Sequence, residues 1–272
     1  MQESGQITSI EKPLQIQQVC NDFLPISLAE MDSVKLLDRF DKKFVLNAQM
    51  LPGILQHAFE HYRILTIRRK RIFEYRTQYY DTPTFGLYLD HHNRKLNRLK
   101  VRKREYVTTR QVFFELKFKT NKGRTRKKRI EIDSSKSTLY KTERKFLKKN
   151  THLVHRDLEP KVLNQFSRIT LVSKLSTERV TIDFDLKYQL NGSSIDLPFL
   201  SIIEIKQGRS SGISELEWIL RVHKVAPFKI SKYCIGSLLL DKSLKYNRFK
   251  NKLFTLNNLS NDNSYASVFI RS

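Results

Sequence analysis

Apolar and polar residues alternate along several stretches of the chain, which is the pattern of a β-strand with one apolar and one polar face. In residues 112–119, for example, Val112, Phe114 and Leu116 alternate with Phe113 and Glu115. We predict strands at residues 37–45, 96–104, 112–119, 178–187 and 200–206.

Helix signals separate these strands. The predicted helices begin after Asn47, at residue 138, after Ser214 and after Ser231. Asn47 is a suitable N-cap for a helix that extends to about Tyr62, and Pro52 fits its first turn. Ser214 and Glu217 have the spacing of a capping box. Residues 138–149 form a basic amphipathic stretch. The sequence therefore predicts an α+β fold.

The polar faces of the strands carry charged residues at their centres, where a solvated sheet face more often carries Thr, Ser or Gln. An ordinary sheet with its charges in solvent is one arrangement that fits this pattern. The other is an antiparallel β-barrel with a polar, basic interior and apolar outer faces covered by amphipathic helices. Charges in such an interior must be paired or bound by a ligand, because unpaired charges away from bulk water are costly. We favour the barrel because the amphipathic helices need apolar surface to cover.

Composition indicates an anionic partner. Lys and Arg number 51 against 27 for Asp and Glu, which gives a formal net charge of +24. Such an excess destabilises the compact state unless an anion lies against it. Cys20 and Cys234 are too few for a disulfide framework, and reduced thiols are typical of the cytosol. With no secretory signal and no apolar run long enough to span a membrane, the expected location is cytoplasmic.

The chain shows no internal repeat and no Gly/Ser/Pro-rich linker, so one domain is favoured. Residues 1–26 are polar and are predicted to form an irregular N-terminal arm. Residues 27–243 contain the predicted strands and helices. Residues 244–272 are rich in Asn and are predicted to form a loosely ordered, polar C-terminal tail.

Short motifs in a fixed order then suggest a family. The motifs are R-x-D-x-K at 39–43, Q-Y-Y-D-T-P at 78–83, K-V-R-K-R-E-Y at 100–106, F-E-L-K at 114–117, K-K-R at 127–129, Arg168, R-V-T-I-D at 179–183, E-I-K at 204–206 and S-K-Y at 231–233. From about Leu28 to Leu240 this order resembles the VTC domain, the polyphosphate polymerase branch of the triphosphate tunnel metalloenzymes (the CYTH-like superfamily). Asp41 stands where that family has Glu.

The resemblance implies an eight-stranded antiparallel tunnel that binds ATP and polyphosphate. The implied reaction transfers the γ-phosphoryl group of ATP to a growing polyphosphate chain, releases ADP and depends on Mn²⁺ or Mg²⁺. Phosphoryl transfer needs positioning and charge neutralisation more than covalent chemistry, which suits a site rich in Arg and Lys. A membrane-protein partner that this chain does not encode is compatible with the resemblance, and the oligomeric state is open.

By motif position the resemblance assigns roles to individual residues. The phosphate-binding residues are Arg39, Lys43, Arg102, Arg104, Lys117, Lys128, Arg168, Arg179 and Lys232. The residues expected to be catalytic are Arg102, Arg104, Lys117, Arg179 and Glu204. Glu204 is the expected metal ligand, followed by Glu115 and then Asp183, with a salt bridge as the alternative role for the last two. Arg124, Arg126 and Lys127 are expected to be surface charges near a turn.

Two other functions fit parts of the pattern. A tunnel of the same kind can hydrolyse triphosphate or a nucleoside triphosphate if water replaces phosphate as the acceptor. Alternatively, the chain is a non-enzymatic module that binds polyphosphate or nucleic acid, with residues 122–129 and 141–149 as its surfaces. Nucleic acid ranks last, because it leaves Glu115, Asp183 and Glu204 on the basic faces unexplained. A P-loop NTPase is excluded, because the sequence has no Walker motif.

Overall fold

The computed structural model describes residues 11–33, 39–122, 124–133, 135–153, 157–208, 212–261 and 265–269. The helices are α1 (Glu11–Asp22), α2 (Leu28–Ser33), α3 (Leu51–Ala58), α4 (Gly86–His92), α5 (Lys141–Asn150), α6 (Glu215–Val222), α7 (Lys232–Leu240), α8 (Lys250–Ser260) and α9 (Ala266–Phe269). The strands are β1 (Leu24–Ile26), β2 (Arg39–Asn47), β3 (Tyr62–Leu65), β4 (Phe73–Asp81), β5 (Arg98–Tyr106), β6 (Gln111–Lys119), β7 (Thr125–Ile132), β8 (Glu159–Ser173), β9 (Glu178–Leu190), β10 (Ser193–Leu197) and β11 (Leu200–Gly208). Within these ranges, no helix is long and apolar enough to cross a membrane.

The chain forms two compact units, each assembled from separate stretches of sequence. Unit 1 comprises Met1–Phe73, Arg168–Phe184 and Phe199–Ile230, and unit 2 comprises Glu74–Ser167, Asp185–Pro198 and Ser231–Ser272. Strands β8 and β9 therefore contribute residues to both units. The single domain at residues 27–243 that the sequence favoured does not coincide with either unit.

In unit 1 the neighbouring strands follow the order β2, β11, β9 and β8. Strand β11 is antiparallel to both β2 and β9, which places Glu204 opposite Lys43 on one side and opposite Thr181 on the other. The apolar face of this sheet carries Phe44, Ile182 and Ile203, which belong to one buried core with residues of α1, α3 and α6. This confirms the prediction that amphipathic helices cover the apolar faces of the strands.

In unit 2 the order is β8, β4, β5, β6 and β7, and β10 pairs with β9. The antiparallel register places Arg102 opposite Tyr79 and Glu115, and Lys117 opposite Lys127. The apolar faces meet in a core around Val101, Phe114 and Leu116, and Leu147 of α5 packs into the same core. Sheet and helices thus lie on opposite sides of one apolar layer, while the charged face of the sheet points away from it.

Most of the predicted secondary structure is confirmed. Each predicted strand is present, although residues 37 and 38 lie outside the described residues. Asn47 caps a short 3₁₀ helix (Ala48–Met50) that leads into α3, and α3 ends at Ala58 rather than at Tyr62. The Ser214 hydroxyl accepts a hydrogen bond from the backbone N–H of Glu217 at 3.1 Å, which is one half of the predicted capping box. The Glu217 carboxylate binds Lys42 Nζ.

The predictions for the two ends of the chain were wrong. Residues 11–26 form α1 and β1 instead of an irregular arm, because Ile16, Val19 and Cys20 lie on one helix face and are buried in the core of unit 1. The predicted loose tail contains the helix α8, where Leu253 and Leu256 are buried at helical spacing. In both segments, scattered polar residues hid a short apolar stripe.

The large antiparallel sheet agrees with the predicted α+β class, but a closed barrel is not confirmed. Within the described residues, the order of paired strands ends at β2 in unit 1 and at β7 in unit 2, so neither unit closes a ring by itself. The charged faces are nevertheless sheltered, since Glu115 is fully buried and Asp183 is only 4% exposed. The alternative of an ordinary, solvated charged face does not describe these two carboxylates, although Lys127 and Arg129 on β7 are exposed.

Candidate functional site

The centre of the charged face in unit 2 is the buried carboxylate of Glu115 on β6. Arg102 on β5 donates a hydrogen bond from Nε to Glu115 Oε2 at 2.7 Å, and its Nη2 lies 2.7 Å from the same oxygen. Lys127 on β7 forms an ion pair with the other oxygen, Oε1. Because these residues lie on three adjacent strands with matching side-chain alternation, the sheet itself fixes the cluster. We call Arg102, Glu115 and Lys127 the central cluster.

Further cations flank the central cluster on the same face. Lys100 and Lys117 are opposite each other on β5 and β6. Lys100 also donates a hydrogen bond from Nζ to Ser231 Oγ at 2.9 Å. Arg104 is almost fully buried, and its Nε lies 3.3 Å from Thr77 Oγ1 on β4. Basic side chains therefore outnumber the carboxylate that they surround.

The electrostatics of the cluster follow from this excess of cations. Burial tends to raise the pKa of Glu115, but Arg102, Arg104 and Lys127 outweigh it and hold that pKa at about 2. Burial lowers the pKa of Lys127 to about 8, and Glu115 only partly opposes the shift. Glu115 thus stays ionised at neutral pH, and the surplus positive charge is available to an anion.

Helix α7 brings a further cation to unit 2. Its first residue, Lys232, places Nζ 3.8 Å from the centroid of the Phe166 ring. The N-cap residue Ser231 accepts hydrogen bonds from Cys234 N–H and from Lys100 Nζ. Lys232, a predicted phosphate ligand, therefore directly follows Ser231, whose hydroxyl contacts Lys100.

Unit 1 contains a second charged cluster, on β2 and β11. The carboxylate of Glu204 lies between two lysines, with Lys43 Nζ 3.2 Å from Oε1 and Lys206 Nζ 3.2 Å from Oε2. Lys206 is opposite Asp41 on β2 and opposite Arg179 on β9. Burial lowers the pKa of Lys206, and Glu204 opposes that shift.

Two further arginines of unit 1 are held by hydrogen bonds. Arg168 binds Asp183 in a bidentate manner, with Nε 2.5 Å from Oδ1 and Nη2 2.8 Å from Oδ2. Arg179 donates a hydrogen bond from Nη2 to the backbone oxygen of Met31 at 2.7 Å. A bidentate pair of this kind holds the guanidinium in a fixed orientation. For Asp183, the geometry favours the salt-bridge alternative over metal ligation.

Of the two neighbouring lysines Lys127 and Lys128, it is Lys127 that belongs to the central cluster. Lys128, a predicted phosphate ligand, is opposite Leu116 on the apolar side of β6 and binds the side chain of Asn150 at 2.7 Å. Lys127 is exposed, as predicted, but its ammonium group also pairs with the buried carboxylate of Glu115. Arg124 and Arg126 are exposed, as expected.

The alternation of side chains along β7 explains why Lys127 and Lys128 lie on different faces of the sheet. Lys128 shares a face with Ile130 and Ile132, whereas Lys127 shares the opposite face with Arg129. Lys100 and Lys206 also lie beside predicted site residues, although the sequence assigned them no role. Arg39 opens β2, but its side chain lies outside the described residues.

The acidic residues present fit a divalent ion only in part. Within the described part of the chain, no three His, Cys, Asp or Glu residues are close enough together to hold a metal ion. Glu115 is fully buried and both of its carboxylate oxygens are in short contacts with cations, so it is the poorer ligand of the two glutamates. Glu204 is less buried and is held by two longer lysine contacts. Mg²⁺ and Mn²⁺ often bind one or two carboxylates plus substrate phosphates, and Glu204 fits that requirement.

Comparisons with known proteins agree with this picture. Residues 38–241 match the sequence profile of the VTC domain, which belongs to the CYTH-like tunnel superfamily. No curated protein matches the chain.

Similar solved structures include the PH1819 protein from Pyrococcus horikoshii, at 18% identity and a TM-score of 0.42, covering 75% of this chain and 96% of that protein. They also include a Hippeastrum protein, HpAC1, described as a candidate adenylyl cyclase with a dominant triphosphatase activity. It has 12% identity and a TM-score of 0.43, covering 74% of this chain and 96% of that one.

Proposed function

This chain belongs to the VTC domain family, and from that premise we propose that it is an ATP-dependent polyphosphate polymerase. The proposed reaction moves the γ-phosphoryl group of ATP to the end of a polyphosphate chain and releases ADP. The observation that carries the proposal is the central cluster, where the buried carboxylate of Glu115 is surrounded by Arg102, Arg104 and Lys127. A site that keeps more cations than carboxylates out of solvent needs an anionic ligand to balance them.

The reaction suits a site without a general base. An oxygen of the terminal phosphate of the acceptor attacks the γ-phosphorus, and the bond between that phosphorus and the β–γ bridging oxygen breaks. The electron pair stays with ADP, so charge balances without any proton transfer. What the protein must supply is orientation and neutralisation of phosphate charge. Arg102 and Arg104 suit this task, because a guanidinium can contact two phosphate oxygens at once.

Each charged cluster has an assigned part in binding phosphate. In unit 2, Arg102, Arg104, Lys117, Lys127 and Lys232 bind phosphate groups, and Glu115 keeps Arg102 and Lys127 oriented. In unit 1, the phosphate ligands are Lys43, Arg168, Arg179 and Lys206. Lysine ammonium groups act there as mobile point charges, whereas Arg168 is held in place by Asp183.

A divalent ion, Mn²⁺ or Mg²⁺, fits the proposal through Glu204. When bound, such an ion neutralises charge on the phosphate oxygens. Glu204 would hold it, and Lys43 and Lys206 beside Glu204 would contribute positive charge toward phosphate. Lys43 and Lys206 keep the carboxylate ionised and in place when no phosphate is bound.

We also propose that the protein acts in the cytoplasm, where ATP is available. Cys20 and Cys234 are buried free thiols, which suits a reducing compartment.

The test is synthesis of polyphosphate from ATP. Purified protein is incubated with ATP labelled on the γ-phosphate and with Mn²⁺, and the products are separated on a gel. A ladder of labelled polyphosphate is expected, and a chelator such as EDTA should abolish it. Both Arg102→Ala and Glu204→Gln should lose the ladder.

A matched control is Lys128→Ala, which removes an exposed cation from the opposite face of β7 and should leave the ladder intact. If the product is labelled inorganic phosphate and no ladder forms, the protein is a triphosphatase and not a polymerase. If ATP is not consumed but the protein still binds polyphosphate, the protein is a binding module and not an enzyme.

A further inference from the structure

A tight turn between β3 and β4 in unit 1 presents two consecutive arginines in an unfavourable backbone conformation. Arg68 has φ of 50° and Arg69 has φ of 63°. Ile67 N–H bonds to Lys70 O at 3.0 Å and Lys70 N–H bonds to Ile67 O at 2.9 Å, so the loop has two residues. Turns of this length with positive φ at both central positions strongly favour Asn-Gly or similar pairs. Arg at both positions therefore strains the backbone.

The cations of this turn have no partner in unit 1. Arg68, Arg69 and Lys70 are all exposed. Among the described residues, their side chains form no hydrogen bond and no ion pair. The next residue, Arg71, behaves differently, because its Nη1 donates to the backbone oxygens of Cys20 and Phe23, the latter at 3.0 Å. Arg71 thus anchors the base of the turn, while the three residues before it remain available.

The arrangement is rigid as well as charged. Paired backbone hydrogen bonds close the turn, and Arg71 ties its base to the chain at Cys20 and Phe23. A preorganised group loses less conformational freedom when it binds a ligand. These hydrogen bonds thus fix the backbone from which the two guanidinium groups project.

The side chains of the turn bear on the chemistry of its ligand. Residues 68–70 present two guanidinium groups and one ammonium group, and no aromatic ring. A nucleic-acid-binding loop would gain from aromatic residues on which bases stack, whereas a ligand made of phosphates alone requires none. Leu24, which pairs with Arg63 on β3, and Leu28 are exposed, and exposed apolar residues favour a membrane surface, so anionic vesicles belong in the test.

We propose that the Arg68–Arg69 turn binds inorganic polyphosphate outside the sheltered clusters and holds part of a long chain. This inference rests on the proposed function, since polyphosphate is the product of that reaction. Because the turn is exposed, its contribution should depend on chain length. A long polyphosphate has more phosphate groups than the sheltered clusters can bind, so some of them are free to contact the turn, whereas tripolyphosphate has only three.

The test exploits the opposite effects expected on stability and on binding. The double variant Arg68→Asn/Arg69→Gly places the favoured residues in the turn, so its melting temperature should rise by about 2–4 °C. Its affinity for end-labelled long-chain polyphosphate, measured by fluorescence anisotropy, should fall by about tenfold. The slope of log K against log salt should become shallower by roughly 1.4, as expected for two lost phosphate contacts at about 0.7 each. Affinity for tripolyphosphate should stay unchanged.

A control for net charge is Lys148→Gln/Lys149→Gln, which removes two exposed cations from α5. An equal loss of long-chain affinity in this control would overturn the proposal, and so would wild-type affinity in the turn variant. Equal losses for single-stranded DNA, or a loss seen only with vesicles containing phosphatidylserine, would replace polyphosphate with another ligand. None of these binding assays requires ATP turnover, so failure of the polymerase assay would be recognised separately.

Discussion

The hydroxyl of Tyr233 donates a hydrogen bond to the buried carboxylate of Asp81 in unit 2. The same carboxylate accepts the backbone N–H groups of Leu87 and Tyr88 at 2.7 and 2.8 Å, which lie in the first turn of α4. Asp81 therefore joins the end of β4 to the first turns of both α4 and α7. Ser231 and Lys232 lie at the N-terminal end of α7. The hydrogen bond between Tyr233 and Asp81 therefore also helps to hold these two residues in place beside the charged face.

The first prediction concerns this tether. Tyr233→Phe keeps the aromatic ring, whose centroid lies 5.0 Å from that of Tyr79, and removes only the hydroxyl. We expect stability to fall by about 1 kcal/mol, the usual value of one hydrogen bond. We also expect kcat/KM for polyphosphate extension to fall several-fold, because Ser231 and Lys232 lose their fixed position. Thermal unfolding and steady-state kinetics measure the two effects.

A double-mutant cycle shows whether the tether acts through Lys100, which bonds to Ser231. In a Lys100→Ala background, Tyr233→Phe should have little additional effect on kcat/KM. Fully additive effects would mean that Tyr233 only stabilises the fold. Asp81→Asn keeps one oxygen acceptor, so it should be milder than Asp81→Ala in both assays.

The second prediction separates Lys127 from Lys128. Lys127 pairs with Glu115, whereas Lys128 lies on the opposite face of β7 beside Asn150. Lys127→Ala should reduce kcat/KM at least tenfold, because it removes a cation from the central cluster (~1.4 kcal/mol of binding per tenfold change). Lys128→Ala should stay within about twofold of the wild type. If kcat/KM falls further in Lys128→Ala than in Lys127→Ala, the central cluster is not the phosphate site.

These two lysines show how far the sequence could predict the site. Alternation along β5 and β6 was sufficient to place Arg102 and Glu115 on one face, because a strand with several apolar positions has only one consistent register. In β7 the motif K-K-R at 127–129 gave no register by itself, so Lys128 was chosen in place of Lys127. The alternation of Ile130 and Ile132 further along the strand would have given the correct choice.

Other features needed the tertiary structure. Lys206 and Glu204 are two residues apart on the same strand, so their contact is local. The position of Lys43 opposite Glu204 depends on the pairing of β2 with β11, which are far apart in the sequence. The division into two units also has no local signal, since β8 and β9 pass through the boundary without a break in strand pattern. Helix α1 was missed because Ile16, Val19 and Cys20 are few and are surrounded by polar residues.

The third prediction concerns the stability of the central cluster. Glu115→Gln removes the negative charge and leaves Arg102 and Lys127 facing each other without compensation. Breaking a buried ion pair in this way should cost about 3–5 kcal/mol of unfolding free energy. Tripolyphosphate should raise the melting temperature of this variant more than that of the wild type, because phosphate replaces the missing charge. Equal shifts in both proteins would show that phosphate binds elsewhere.

The fourth prediction concerns acid unfolding. The pKa of Glu115 in the folded protein is about 2, lower than its ordinary value of 4.5. A carboxyl group whose pKa is lowered on folding contributes stability that is fully present above the unfolded pKa and is lost as pH falls toward the folded pKa. Wild-type stability should therefore decrease between pH 4.5 and 2 more steeply than that of Glu115→Gln. Urea unfolding at a series of pH values measures the difference, and parallel curves would contradict the low pKa.

The last prediction concerns alkaline pH and Lys127. Burial lowers the pKa of Lys127 from 10.5 to about 8 in the folded protein. As pH rises through 8, the side chain loses its proton, and with it the positive charge that attracts phosphate. The kcat/KM of the wild type should therefore fall above about pH 8, since this parameter reports the ionisation of the free enzyme. Lys127→Arg keeps its charge throughout this range because a guanidinium does not titrate there, so its profile should remain flat to higher pH. A decline at the same pH in both proteins would assign the ionisation to another group.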